Sequence, residues 1–294
     1  MQLTVDGKTV EAKKGQSLRE LVCGLGLDRE QLSQRPLAAR IAGEVFTLNY
    51  IPLRDKDGEG DRPSMRRAMA ASGGNIRLLR IRDSAGRDVY VRTGQFVVFL
   101  ALGQLWPEAV STMDCTLGSS VFISVTGAKD FSVSRLKAQV EQIVAQDIPL
   151  LRHRAKKEEA IARFAAEGQG DKARLLQWRS LEYCSEYSYG DYTDNFYGEM
   201  APSTGYLSVW DILPADGGFL FVYPDELEPD RPAKLSPMPQ FFSVFSEGER
   251  WCRLMDCENV ADLNELTASG KIRELIRVNE ALHEKRFSQV ADMV

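Results

Sequence analysis

Histidine is nearly absent from this chain: His153 and His283 are the two among 294 residues. Chemistry that depends on imidazole, as general base or metal ligand, must use one of these two positions. Cysteine is scarce too. The five thiols are odd in number and thinly spread, which points to reduced cysteines in a cytoplasmic protein rather than to a disulfide framework. Cys252 and Cys257 have the wrong spacing for a zinc knuckle and no second pair, so they read as packed thiols. Long apolar runs are missing as well. Residues 96–102 form a run of seven, against the ~20 that a membrane-spanning helix needs. Residues 1–6 carry neither a basic start nor an apolar stretch, and no secretory signal is expected from them. A strong charge of either sign is lacking: the formal net charge is -5. That argues against a broad surface that coats nucleic acid, while leaving room for a local basic patch. With 44% hydrophobic and 27% charged residues the chain can bury a real core, and its length suggests about two domains.

What is present is a sequence of short strand and helix signals. Leu3, Val5 and Val10 alternate around Asp6-Gly7, the pattern of a β-hairpin. Ser17 with Glu20 makes a capping box ahead of Leu18, Leu21, Val22 and Leu25. Two further strands, 38–41 and 44–48, flank Ala42-Gly43. Hairpin, helix and strands within about 50 residues form a small β-grasp-like plan. Residues 54–75 turn polar and irregular, as expected of a solvated insertion. Residues 76–81 and 88–91 alternate around Ser84-Ala85-Gly86, a second hairpin signal. Residues 95–106 are apolar nearly all round and predict a buried helix stopped by Pro107. Strands are expected at 121–125 and 218–223, and helices at 133–147, 156–166, 172–178 and from 239 onward. Between them lie five of the nine tyrosines, Tyr183, Tyr187, Tyr189, Tyr192 and Tyr197.

Several stretches resemble a known family. Gln104-Leu105-Trp106-Pro107 closes the buried helix as in the second N-terminal domain of threonyl-tRNA synthetases. Glu159-Ala160, Arg163-Phe164, Gly168 and Lys172 repeat the spacing of that domain. Residues 194–202, Asp-Asn-Phe-Tyr-Gly-Glu-Met-Ala-Pro, stand where synthetases carry an Asp-x-Cys-Arg-Gly-Pro-His-x-Pro segment. Residues 1–82 resemble a TGS domain, the ubiquitin-like β-grasp module, with the polar insertion near 54–75. Residues 83–215 resemble the synthetase editing-like domain, and 216–294 read as a strand and a helical tail. The fold class so implied is α+β. Phe196-Tyr197-Gly198, residues 202–207, Leu263-Asn264 and residues 280–285 resemble a subgroup that joins this head to a uridine kinase-like P-loop domain. That subgroup implies a nucleoside kinase domain in cis beyond Val294, with ATP and Mg as its cofactors. The chain itself lacks Gly-x-x-x-x-Gly-Lys-Ser/Thr: Gly7-Lys8-Thr9 and Ser269-Gly270-Lys271 have no upstream glycine at the required spacing. No phosphoryl transfer and no cofactor are therefore expected of these residues.

The resemblance also allows a hydrolytic reading to be examined. Synthetase editing uses a His-x-x-x-His pair and a Cys-x-x-x-His pair. Anchored on residues 105–107, the first falls on Arg92 and Phe96, and the second on Phe196 and Met200. All four are replaced, so these degenerate positions offer no imidazole or thiolate for a metal or a proton. Neither histidine of the chain stands at any of them. No catalytic residue and no metal are expected. What the resemblance retains is a cleft lined by Arg92, Arg154, Asp194 and Tyr197. It suits a nucleotide, nucleoside or tRNA end through a guanidinium fork and aromatic faces. The ordinary alternative is that Arg92 and Asp194 form a salt bridge packed by aromatics. His153 reads as solvated, and His283 as a surface or docking residue. Three functions stay open: a noncatalytic sensing or interaction head, an editing-like hydrolase with a rebuilt cleft, and a purely structural scaffold.

Overall fold

A computed structural model describes residues 2–28, 31–52, 65–190, 192–236 and 239–293. The protein is mixed α+β, as the sequence implied. It divides into two compact units, residues 1–154 with 185–235, and residues 155–184 with 236–294.

The first unit opens with strands β1 (Gln2–Val5) and β2 (Lys8–Glu11), helix α1 (Leu18–Gly24), and strands β3 (Ala38–Ile41) and β4 (Glu44–Thr47). Helix α2 (Met65–Ala71) and strand β5 (Asn75–Leu79) follow. The five strands order β2-β1-β5-β3-β4. β1 and β5 run parallel at the centre, with antiparallel neighbours on both sides. The β1–β2 and β3–β4 connections each hold two residues at positive φ, Asp6 with Gly7 and Ala42 with Gly43. Such turns match the right-handed twist of paired strands. The Ser17–Glu20 capping box forms, and Leu18, Leu21 and Val22 of α1 are buried with Leu3, Val5, Ile41, Phe46, Ile76 and Leu78. Much of the expected polar insertion, residues 53–64, lies outside the described residues. Part of the remainder is helical, in α2.

The second hairpin expected around 84–86 does not form. Residues 84–86 instead open helix α3 (Ser84–Leu105), and 88–91 belong to its second turn. A Cβ on Gly86 would stand 2.0 Å from the carbonyl oxygen of Arg80. Glycine is there to let helix and chain approach, not to make a turn. α3 buries Val89, Tyr90, Phe96, Val97, Leu100 and Ala101. That burial gives these residues a period that four alternating positions could not reveal.

Strands β6 (Val110–Thr116) and β7 (Ser120–Thr126) and helix α4 (Val133–Ala145) follow α3, and later come β11 (Asp211–Ala215) and β12 (Gly218–Val222). Their sheet orders β11-β12-β7-β6, all antiparallel. Val121, Ile123, Ile212, Phe219 and Phe221 of this sheet share one core with α3 and α4. The two edge strands have no clear sequence signal: β6 is mostly exposed, and β11 carries Pro214, which an edge tolerates. Strands β8 (Arg152–Lys156), β9 (Tyr183–Tyr189) and β10 (Tyr192–Asn195) order β10-β9-β8. The tyrosine-rich stretch is thus an antiparallel hairpin, with Tyr192 opposite Tyr189 and Asp194 opposite Tyr187.

The second unit holds helices α5 (Lys157–Ala166), α6 (Gly170–Gln177), α7 (Pro239–Leu254), α8 (Val260–Ala268) and α9 (Ile272–Asp292). Ala160, Phe164, Ala173, Leu176 and Cys184 make a small core. Asn259 and Asp262 form a capping box on α8, and Asp262 also holds Arg174 of α6 at 2.8 Å. No described helix is long and apolar enough to cross a membrane.

Candidate ligand-binding cleft

Arg92 and Phe96 lie one turn apart on α3, so both face the same way. They meet residues 196–200, the segment that follows β10. The Arg92 guanidinium donates to the carbonyl oxygen of Glu199. It also packs on Gly198, where a Cβ would stand 2.9 Å from its central carbon. Gly198 has φ +105, so the segment turns at this point in a conformation that few other residues adopt. Burial pulls the Arg92 guanidinium below its usual pKa, and the charges of Tyr187, Asp88 and Glu199 oppose that shift.

Phe96 is fully buried at the centre of an aromatic cluster. Its ring lies 5.5 Å from Tyr192, 6.0 Å from Phe196 and 6.4 Å from Tyr187, each in an edge-to-face arrangement. Met200 is fully buried too, and its N–H donates to the Tyr187 hydroxyl at 3.1 Å. Tyr187 in turn donates to the carbonyl oxygen of Gly198 at 3.3 Å. The neighbouring Ala201 N–H donates to Thr93 Oγ1 at 2.9 Å. The four positions Arg92, Phe96, Phe196 and Met200 are therefore gathered in one place, and three of them fill it with apolar volume.

Arg92 is bound to the Glu199 carbonyl oxygen and not to Asp194 as the sequence offered, and a different, nearly buried ion pair is present. It joins Arg152 of β8 to Glu199, 2.8 Å apart with side chains 10% and 4% exposed. Asp194 is buried; its carboxylate accepts from the Asn195 N–H at 2.7 Å and from the Tyr192 hydroxyl at 3.3 Å. Tyr197 and Arg154 are exposed, Tyr197 by 62%. His153, read from sequence as solvated, is half exposed and stands 3.5 Å from the fully buried carboxylate of Glu186. Ser188 Oγ lies 3.4 Å from the same His153 nitrogen, so serine and carboxylate share one ring atom instead of flanking the ring. That is not the geometry of a relay. His283 stacks edge-on against Phe287 on α9, with centroids 4.5 Å apart.

Tyr187 stood out in the sequence only as one of the clustered tyrosines, and Arg152 and Glu199 were not singled out. Glu199 sits inside the segment 194–202 that carried the resemblance, and a carboxylate beside two buried apolar residues was the available signal. Among the described residues, no group of three or more His, Cys, Asp and Glu side chains converges as a metal site would require. All five cysteines are free thiols.

These elements define a mixed α+β protein in which a long buried helix and a tyrosine-rich hairpin pack against residues 196–200. The comparisons with known proteins agree. No family model matches the chain. It is similar to the threonine–tRNA ligase of Symbiobacterium thermophilum, 25% identical over 218 residues, which is 73% of this chain and 30% of that protein. It is also 26% identical to the threonine–tRNA ligase of Methylococcus capsulatus over 192 residues, 64% of this chain and 27% of the relative. The ligase of Carboxydothermus hydrogenoformans is 26% identical over 154 residues. The chain thus carries a threonyl-tRNA-synthetase-like region, and it spans less than a third of the length of these curated relatives.

Proposed function

We propose that this chain is a noncatalytic head that recognises a nucleotide or an RNA end, built from a TGS-like β-grasp module and an editing-like domain that has lost its hydrolytic groups. The observation that carries the reading is the occupancy of the four related positions. Phe96 and Met200 are fully buried apolar side chains, Phe196 packs on Phe96, and Arg92 is bound to the Glu199 carbonyl. None of these groups takes a proton near neutral pH or ligates zinc. The five-strand order β2-β1-β5-β3-β4 with α1 on its buried side supports the β-grasp assignment. Similarity to threonine–tRNA ligases supports RNA as the partner class. The exposed Tyr197 and Arg154 offer a stacking face and a cation for it. In this reading the head serves a nucleoside kinase-like domain of the same polypeptide. Support for that last step comes from the motifs at 196–207 and 280–285 alone.

The test mixes the purified chain with threonine tRNA charged with serine and follows release of the amino acid. Retention of the ester together with a gel shift of the tRNA is expected. Deacylation above the uncatalysed rate overturns the reading and restores the hydrolase. Absence of any RNA or nucleotide binding leaves the scaffold.

A further inference from the structure

A second site lies on the outer face of the five-stranded sheet, away from the cleft. Arg40 of β3 and Arg77 of β5 are direct cross-strand partners, so two guanidinium groups stand side by side on one face. Like charges placed opposite each other destabilise a sheet unless something compensates them. Arg77 is compensated by Asp83, 2.6 Å away. Arg40 has no acidic partner among the described residues, and its Nε is out of solvent with no hydrogen-bond acceptor. Beside the pair opens a depression of about 420 Å³, lined by Arg40 and Arg77 with Thr4, Ser72 and Asn75 as polar groups. Asp6 stands in its wall, but that carboxylate is already engaged by the Leu78 N–H at 2.8 Å and by Arg80 at 3.0 Å. The two bridged pairs cancel, which leaves the site the net positive charge of Arg40.

We propose that this depression binds a phosphate group carried by a ligand of mononucleotide size. A phosphate group in the depression offers acceptors to the Arg40 guanidinium, and its charge offsets the positive charge that no described carboxylate balances there. Guanidinium groups are suited to this because their fork meets two phosphate oxygens at once. Thr4 and the second amide proton of Asn75 supply neutral donors, Ser72 Oγ being already bound to the Met69 carbonyl oxygen, and the volume falls within the ~300–1,000 Å³ of small-ligand sites. The site is independent of the cleft around Arg92.

Titration calorimetry and backbone amide NMR of the whole chain test this, using inorganic phosphate, a nucleoside monophosphate, the matching nucleoside and a short single-stranded RNA. The monophosphate is expected to bind and to shift the amides of Thr4, Ser72 and Asn75, while the nucleoside does not. Arg40→Gln is expected to weaken that binding by about tenfold or more, with a thermal midpoint equal to or above that of the parent. Binding of RNA through the same amides, lost in Arg40→Gln, identifies a polymer backbone as the source of the phosphate and still supports the site. If neither phosphate nor monophosphate shifts these amides at millimolar concentration, the proposal is wrong. It is equally overturned if Arg40→Gln binds as the parent does.

Discussion

The guanidinium of Arg35 lies 3.8 Å above the ring centroid of Tyr206. Arg35 also bonds Asp28 at 3.2 Å and donates to the Gly205 carbonyl oxygen at 3.3 Å, and Arg19 approaches the same ring at 5.3 Å. Residues far apart in the chain are thereby fastened between the N-terminal sheet region and the 3-10 turn at Thr204–Tyr206. The ring, rather than its hydroxyl, makes these contacts.

Tyr206→Ala is therefore expected to cost about 3–5 kcal/mol, as for other buried aromatic truncations. Arg35→Ala is expected to cost about 1–2 kcal/mol, and Tyr206→Phe less than about 0.5 kcal/mol. Urea unfolding of the three variants checks the order.

Tyr90 is fully buried, and its hydroxyl donates to the Val209 carbonyl oxygen at 2.7 Å while accepting the Val209 N–H at 2.8 Å. Tyr90→Phe leaves both backbone groups unpaired and is expected to cost about 1–3 kcal/mol at neutral pH. Burial raises the phenol pKa of Tyr90 well above its usual value, and raises those of Tyr206 and Tyr223 as well. A phenol raised in the folded state contributes fully below its unfolded pKa of about 10 and loses that contribution as pH climbs through the folded value. Stability measured by chemical denaturation should therefore fall above pH ~10, and less steeply in Tyr90→Phe.

Arg152 and Glu199 are both nearly buried, so replacing either removes a charge-assisted bond that little water can replace. Arg152→Met or Glu199→Gln is expected to cost about 3–5 kcal/mol alone, and the double variant clearly less than the sum. A double-mutant cycle with a coupling below about 0.5 kcal/mol would remove the pair from the account of the cleft.

Two glycines of α3 make a contrasting pair. At Gly86 a new Cβ meets backbone at 2.0 Å, whereas at Gly103 the nearest atom outside the helix is Tyr192 Cδ2 at 4.0 Å. Gly86→Ala is expected to prevent stable folding, and Gly103→Ala to gain up to about 1 kcal/mol from helix propensity. Thermal melts of the two variants decide this.

Much of the N-terminal region was legible because its signals are local. Asp6-Gly7, the Ser17–Glu20 box and the alternation of Leu3 and Val5 each need only a few neighbouring residues, and each appears as expected. The start of α3 was not legible: Val89 and Val91 alternate over too short a span to separate strand from helix, and Gly86 resembles a turn until Arg80 is seen against it. The cleft was half legible. Its residue types were readable once the resemblance had aligned them, but the partner of each charge was not.

By itself, the sequence determined which side chains stand at the four positions of the resemblance. Neither histidine stands at position 92, 96, 196 or 200, and apolar side chains at 96, 196 and 200 stay apolar in any fold. The tertiary structure decided which charges face each other. Arg152 met Glu199 instead of Arg92 meeting Asp194, and Arg40 came beside Arg77 through strand register. The reason is physical. Residue chemistry belongs to the chain, whereas an ion pair or an orphaned guanidinium depends on which distant segments packing brings within a few ångströms, and on the water it removes there.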